Sequence, residues 1–181
     1  MSRRRLLLGF ALLASGVAAL WLWRGRDATL GAVEATVRSQ FPGVPTVTTD
    51  QLALALVDSA SAPLLLDARQ PDEYAVSHLP GALRINPDAR GQDLAAAVAA
   101  IPDGRDVVVY CSVGYRSAGL VQRLREAGAR RVSNLEGSIF RWANEGRPLA
   151  GARGADGLVH PFSDSWGRLL DPEHRATVAT E

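Results

Sequence analysis

The stretch Val107-Val108-Val109-Tyr110-Cys111-Ser112-Val113-Gly114-Tyr115-Arg116-Ser117 constrains this chain more than any other. A run of β-branched residues leads through Tyr110 into the single cysteine of the 181-residue sequence. A short loop with a glycine and an arginine follows. Leu120, Val121, Leu124 and Ala127 then recur at helical spacing, up to a terminating Gly128. The thiol therefore stands at the carboxyl end of a buried strand and the amino end of a helix, where open α/β sheets place their ligand sites. The helix terminus and the loop N–H groups favour an anion, and so favour thiolate over thiol.

The flanking segments repeat the strand–helix alternation. Val44 to Val47 reads as a short edge strand, interrupted by Pro45. Thr48-Thr49-Asp50-Gln51 has the spacing of a capping box and opens a helix through Leu52 and Leu56. Leu64-Leu65-Leu66-Asp67 is a continuous apolar run ending in an acid, as in a strand covered on both faces. Short helices follow from Pro71 and over Leu94 to Ile101, with a strand at Ala82 to Ile85 between them. Val132 to Leu135 is the last strand, and Glu136-Gly137 turns into a helix holding Ile139, Phe140 and Trp142. This alternation implies an α/β fold with a mostly parallel sheet and helices on both faces.

Composition excludes several function classes. Twenty arginines, with no lysine, face nineteen acids, for a net charge of +1. Such a balance gives no electrostatic case for a nucleic-acid partner. One cysteine excludes an intrachain disulfide framework and a cysteine-rich zinc site. His78, His160 and His174 lie far apart without ligand spacing, so neither a structural metal nor a cofactor is expected.

Three segments resemble the rhodanese family of sulfurtransferases, over roughly residues 44–149. Asp67-Ala68-Arg69 with Glu73-Tyr74, His78-Leu79-Pro80-Gly81-Ala82 and Ile85-Asn86 is similar to the family's Asp-x-Arg, Glu-aromatic, His-x-x-Gly-Ala signature. Tyr110-Cys111 with Gly114, Arg116 and Ser117 resembles its active-site loop, and Asn134-Leu135-Glu136-Gly137 with Trp142 its closing strand and helix. One departure is visible: the family often has a second glycine after Gly137, and this chain has Ser138. The resemblance implies a rhodanese-like three-layer α/β fold and a sulfurtransferase.

On that reading Cys111 is the nucleophile that accepts a sulfane sulfur and holds it as a persulfide. The N–H groups of Ser112, Val113, Gly114, Tyr115, Arg116 and Ser117 are expected to ring the sulfur, with the Ser112 and Ser117 hydroxyls as further donors. Arg116 is the expected anion-binding cation, able to hold the sulfonate end of thiosulfate. Asp67 and Arg69 are expected to support the loop or pair with Glu73, and His78 to be structural. Similar-looking phosphatases space their cysteine and arginine by five residues; here four intervene, Ser112 to Tyr115, which suits a persulfide better than a tetrahedral phosphate. With no second cysteine, the sulfur must leave to cyanide, an external thiol or a partner protein's cysteine. The rival from another class is a non-catalytic rhodanese-fold binding or persulfide-carrier module at the cell envelope.

The ends of the chain read differently from its middle. Leu6 to Trp23 is an unbroken run of apolar and small residues between Arg3-Arg4-Arg5 and Arg24-Gly25-Arg26. Its length of about 18 residues just suffices to span a bilayer. Residues 1–26 are thus expected to be a signal anchor, with Trp21 and Trp23 at the interface, or a cleaved signal peptide. The arginine bias places the domain on the extracytoplasmic side, or free in the periplasm after cleavage. Residues 27–43 read as a juxtamembrane spacer helix. Residues 150–181 carry two apolar clusters, Leu158 to Phe162 and Trp166 to Leu170, and are expected to pack back on the domain or to meet a partner or membrane.

Overall fold

The computed structural model describes Gly25 and residues 29–178. The run Leu6 to Trp23, read as an anchor or signal, lies outside the described residues. Among the described residues, no helix is long and apolar enough to cross a membrane.

Among the described residues, five strands form one all-parallel sheet in the order β1-β5-β4-β2-β3, comprising β1 (Thr46–Val47), β2 (Leu64–Asp67), β3 (Leu83–Arg84), β4 (Val107–Tyr110) and β5 (Val132–Leu135). The helices are α1 (residues 29–40), α2 (Thr49–Ala55), α3 (Pro71–Val76), α4 (Gly91–Ala99), α5 (Tyr115–Glu126), α6 (Ser138–Asn144) and the single turn α7 (Asp164–Gly167). Every residue of β4 is buried, as its uninterrupted Val-Val-Val-Tyr requires of a central parallel strand.

The two-residue period of the strands divides the core into two layers. Val108 and Tyr110 of β4, with Leu65 of β2 and Leu135 of β5, pack with Leu30 of α1, Leu52 of α2 and Ile139, Phe140 and Trp142 of α6. Val107 and Val109, with Leu66 and Val132, pack on the opposite face with Leu120, Val121 and Leu124 of α5, flanked by Leu94 and Val98 of α4. This is the expected α/β architecture with helices on both faces. The capping box is present as the spacing predicts: the Thr48 hydroxyl accepts from Gln51 N–H, and Gln51 Oε1 accepts from Thr48 N–H.

The chain leaves β2 towards the β3 edge and leaves β4 towards the β5 edge. The strand order thus reverses between β2 and β4, which lie side by side with Asp67 opposite Tyr110. A crevice opens beyond their carboxyl ends, at the switch point where such sheets hold ligands.

Both flanking segments join this body. In α1, Leu30 and Val37 are buried, and Glu34 pairs with Arg141 of α6. A spacer would expose these residues; the helix packs instead because its apolar positions fall on one face and meet α6. After α6 the chain returns along the domain, with Ala150 bridged to His78. Val159 and Leu170 are fully buried in the same layer as α6. Asn144 fastens this return, donating to the Leu169 carbonyl and accepting from Asp171 N–H.

Candidate active site

Cys111 follows directly on β4 and is 1% exposed. Its sulfur accepts a hydrogen bond from Gly114 N–H at 3.2 Å. That contact needs the loop to reverse within three residues, which Gly114 accomplishes at φ 101°. An added Cβ would meet Asn134 and the Leu135 carbonyl only at ordinary contact distance, 3.4 and 3.5 Å, so it is the backbone conformation rather than space that calls for glycine here. Asn134 Nδ2 donates to the Gly114 carbonyl and so ties the loop to β5.

Ser138, noted in sequence only as a departure from glycine, proves to be part of the loop's support. It is a non-glycine residue at φ 51°, a left-handed conformation that costs about 1–2 kcal/mol. Its hydroxyl accepts from Cys111 N–H at 3.2 Å and donates to the Leu135 carbonyl at 3.0 Å. The next two N–H groups of α6 continue the clamp: Ile139 donates to the Cys111 carbonyl and Phe140 to that of Ser112. The backbone of the cysteine is thus held from α6, while α5 begins just beyond it.

Arg116 lies in the first turn of α5 and faces the crevice, but not as a free cation. Its two terminal nitrogens donate to both carboxylate oxygens of Glu73, at 2.7 and 2.8 Å, and Nη2 also reaches Ser112 Oγ at 2.9 Å. Ser112 Oγ in turn donates to Glu73 Oε1 at 3.0 Å. Burial disfavours the Arg116 charge, yet the Glu73 bonds and the neighbouring Cys111 outweigh it and hold the guanidinium above its ordinary value. Burial likewise pushes the Glu73 carboxyl up, but the bond and charge of Arg116, with Gln70 N–H, leave it below the usual range. Of the two expectations for Asp67 and Arg69, supporting the loop or pairing with Glu73, the second is therefore corrected. Glu73 stands in the first turn of α3, which follows β2, and the adjacency of β2 and β4 brings it under Arg116.

Asp67 and Arg69 instead pair with each other. Arg69 Nε and Nη2 donate to the Asp67 carboxylate at 2.9 and 2.7 Å, with both side chains fully buried, and Nη2 also donates to the Ser77 carbonyl. Arg69 lies 5.9 Å from the Tyr110 ring centroid, and Tyr110 Oη accepts from Leu79 N–H. The pair braces the β2 loop behind the site without entering the crevice. Ser117 is fully buried and its hydroxyl finds no partner, so it is not a donor to the sulfur. Tyr115 turns its ring edge onto Phe41 and donates its hydroxyl to Gln40 of α1. Val113 packs into the core beneath the loop. His78 stacks on Tyr74 with Nδ1 at 3.0 Å from the Tyr74 carbonyl, a structural position.

A cavity of about 530 Å³ opens above Cys111. Ser112, Val113 and Arg116 line it beside the cysteine, Val33 and Val37 of α1 form one side, and Phe162 and Trp166 form another. The Phe162 ring lies 4.7 Å from the Arg116 guanidinium. These wall residues were not among the sequence-predicted site residues; the signal that could have found them is the apolar spacing of Val33 and Val37 and the two aromatics of the carboxyl-terminal segment.

A family model for the rhodanese-like domain matches residues 48–145. A sulfurtransferase of Allochromatium vinosum is 34% identical over 108 residues, which are 60% of this chain and 96% of that protein. The probable adenylyltransferase/sulfurtransferase MoeZ of Mycobacterium tuberculosis is 33% identical over 94 residues, 51% of this chain but 23% of that much longer one. Among solved structures, a rhodanese-like domain from Anabaena sp. shares 27% identity at a TM-score of 0.53, covering 60% of this chain and 80% of its own. A rhodanese-like domain protein from Staphylococcus aureus shares 28% identity at 0.50, covering 59% and 97%. The family match spans β2 to β5, the cysteine loop and the Glu73–Arg116 bridge that closes it, and the chain belongs to the rhodanese-like domain family.

Proposed function

We propose that this protein is a sulfurtransferase that carries a sulfane sulfur as a persulfide on Cys111. The observation that carries this reading is the seat of the one thiol: at the end of the central strand, in a crevice at the switch point, with Gly114 N–H on its sulfur. The thiolate attacks the sulfane sulfur of a donor. The bond between that sulfur and the rest of the donor breaks, and its electron pair leaves with the remainder, as sulfite or a thiolate. In the second half an acceptor thiolate or cyanide attacks the outer sulfur and Cys111 departs as thiolate. Both halves are redox-neutral and need only donor and acceptor. Gly114, Ser138 and the Glu73–Arg116–Ser112 network hold the loop in the geometry that both halves share.

Treating the folded protein with thiosulfate, glutathione persulfide or polysulfide and weighing it intact tests this. The expected result is a gain of one sulfur atom, removed by cyanide or excess thiol and absent in Cys111→Ala. No gain from any of these donors, or an equal gain in Cys111→Ala, sinks the reading and favours a binding module. We further propose that the run Leu6 to Trp23 tethers the domain to the membrane or directs its export, which sizing the mature chain in membrane and soluble fractions checks.

A further inference from the structure

The cavity above Cys111 is walled by segments that the family match does not reach. The matched residues 48–145 supply Cys111, Ser112, Val113, Tyr115 and Arg116. Val33 and Val37, with Thr36 between them, come before that span, and Phe162 and Trp166 after it. Four of these five are apolar, and the two aromatics stay 47% and 38% exposed at the rim. Phe162 holds this position at φ 64°, a conformation rare for a bulky residue, with its N–H donated to His160 Nδ1.

The charge of the cavity points the same way. Among the described residues, Arg116 is the one charged residue in its lining, and Glu73 already balances it through both terminal nitrogens. A small inorganic anion entering here would give up its water for a compensated ion pair and largely apolar walls. The volume of about 530 Å³ is that of a site for an organic molecule, far larger than a few-atom anion needs. The cysteine on its floor is 1% exposed, so a broad protein surface could not bring its own sulfur to it.

Building on the persulfide reading of Cys111, we propose that the sulfur donor is an organic sulfane compound bearing an apolar alkyl or aryl group. That group lies between Val33 and Val37 on one side and Phe162 and Trp166 on the other. With an organic persulfide, the Cys111 thiolate attacks the outer sulfur and the donor S–S bond breaks. Its electron pair leaves on the organic thiolate, and Cys111 keeps the transferred sulfur with its proton.

Three probes with sulfane sulfur test this: benzenethiosulfonate, methanethiosulfonate and thiosulfate. The first two share one head group and differ only in the apolar part, and each gives up its terminal sulfur with loss of a sulfinate. Loading rates at Cys111 are read by intact mass and divided by the rates with a free small thiol, which removes intrinsic reactivity. Corrected in this way, benzenethiosulfonate is expected to load about tenfold or more faster than methanethiosulfonate, the difference that burying a ring supplies. Phe162→Ala and Trp166→Ala are expected to pull that ratio back towards the free-thiol value. A wild-type ratio equal to that of the free thiol, or thiosulfate loading fastest after correction, overturns the inference, as does a ratio that neither variant moves. Failure of all three probes to load Cys111 overturns the persulfide reading instead.

Discussion

The floor and the walls of the cysteine cavity are built on different principles. The floor is polar and angular: Gly114 N–H on the sulfur, the Ser138 hydroxyl on Cys111 N–H, and Glu73 held by Arg116 and Ser112. Each contact there depends on direction, so it is set by backbone that leaves the ends of β2, β4 and β5. The walls are apolar and contribute area rather than direction, and they come from α1 and the carboxyl-terminal return. Directional chemistry at the sulfur thus rests on the sheet, and what fits above it rests on the apolar side chains of the flanking segments. The two meet where Phe162 covers the guanidinium of Arg116 and where Tyr115 donates its hydroxyl to Gln40 of α1.

The strongest challenge to the floor is Glu73→Ala. It leaves the Arg116 charge partly buried and unpaired and strips Ser112 of its acceptor. The expected cost is about 3–5 kcal/mol in urea unfolding, together with loss of Cys111 loading. The pH dependence has a defined sign. The Glu73 carboxyl is held below its ordinary value of 4.5, so its contribution is complete above that pH and drains away as pH falls through the depressed folded value. Unfolding measured from neutral to acid pH should therefore show the gap between wild type and Glu73→Gln narrowing in that acid window. A gap independent of pH breaks the assignment of Glu73 as the ionised partner of Arg116.

The walls are tested next, through Leu30→Ala. Leu30 is 2% exposed and packs with α6 beneath the cavity, without lining it. Its truncation is expected to cost about 2–4 kcal/mol in the same urea assay. An unchanged midpoint would mean that α1 is a detached spacer, and the cavity would lose one side.

These two sites also mark what could be read in the sequence. The strand into Cys111, the loop spacing and the Thr48 capping box are local patterns, and they appear where the residues place them. The partner of Glu73 is 43 residues away, and it follows only from β2 lying beside β4, a strand order that no local pattern contains. For α1, the spacing of Leu30, Val33 and Val37 predicts a helix, yet a period says only that one face is apolar and not what covers it. The two aromatics of the carboxyl-terminal segment pose the same problem. Phe162 and Trp166 reach the cavity because Val159 and Leu170 anchor the return in the core.

The smallest effect expected separates hydrogen bonding from backbone strain within the floor. Ser138 combines a cost, its left-handed φ of 51°, with a gain, its acceptance from the buried Cys111 N–H. Ser138→Ala keeps the cost and loses the gain, leaving a buried donor unpaired, for about 1–3 kcal/mol of destabilisation. Ser138→Gly loses the same bond but relieves the backbone, by about 1 kcal/mol. The glycine variant should therefore unfold at a higher urea midpoint than the alanine variant, with both below wild type. Loading of Cys111 discriminates further, because both variants release the Cys111 N–H and should slow sulfur uptake to a similar degree, whatever their stability. If the two variants unfold together, strain at this position does not matter. If uptake follows stability instead, the hydroxyl only supports the fold and does not position the cysteine.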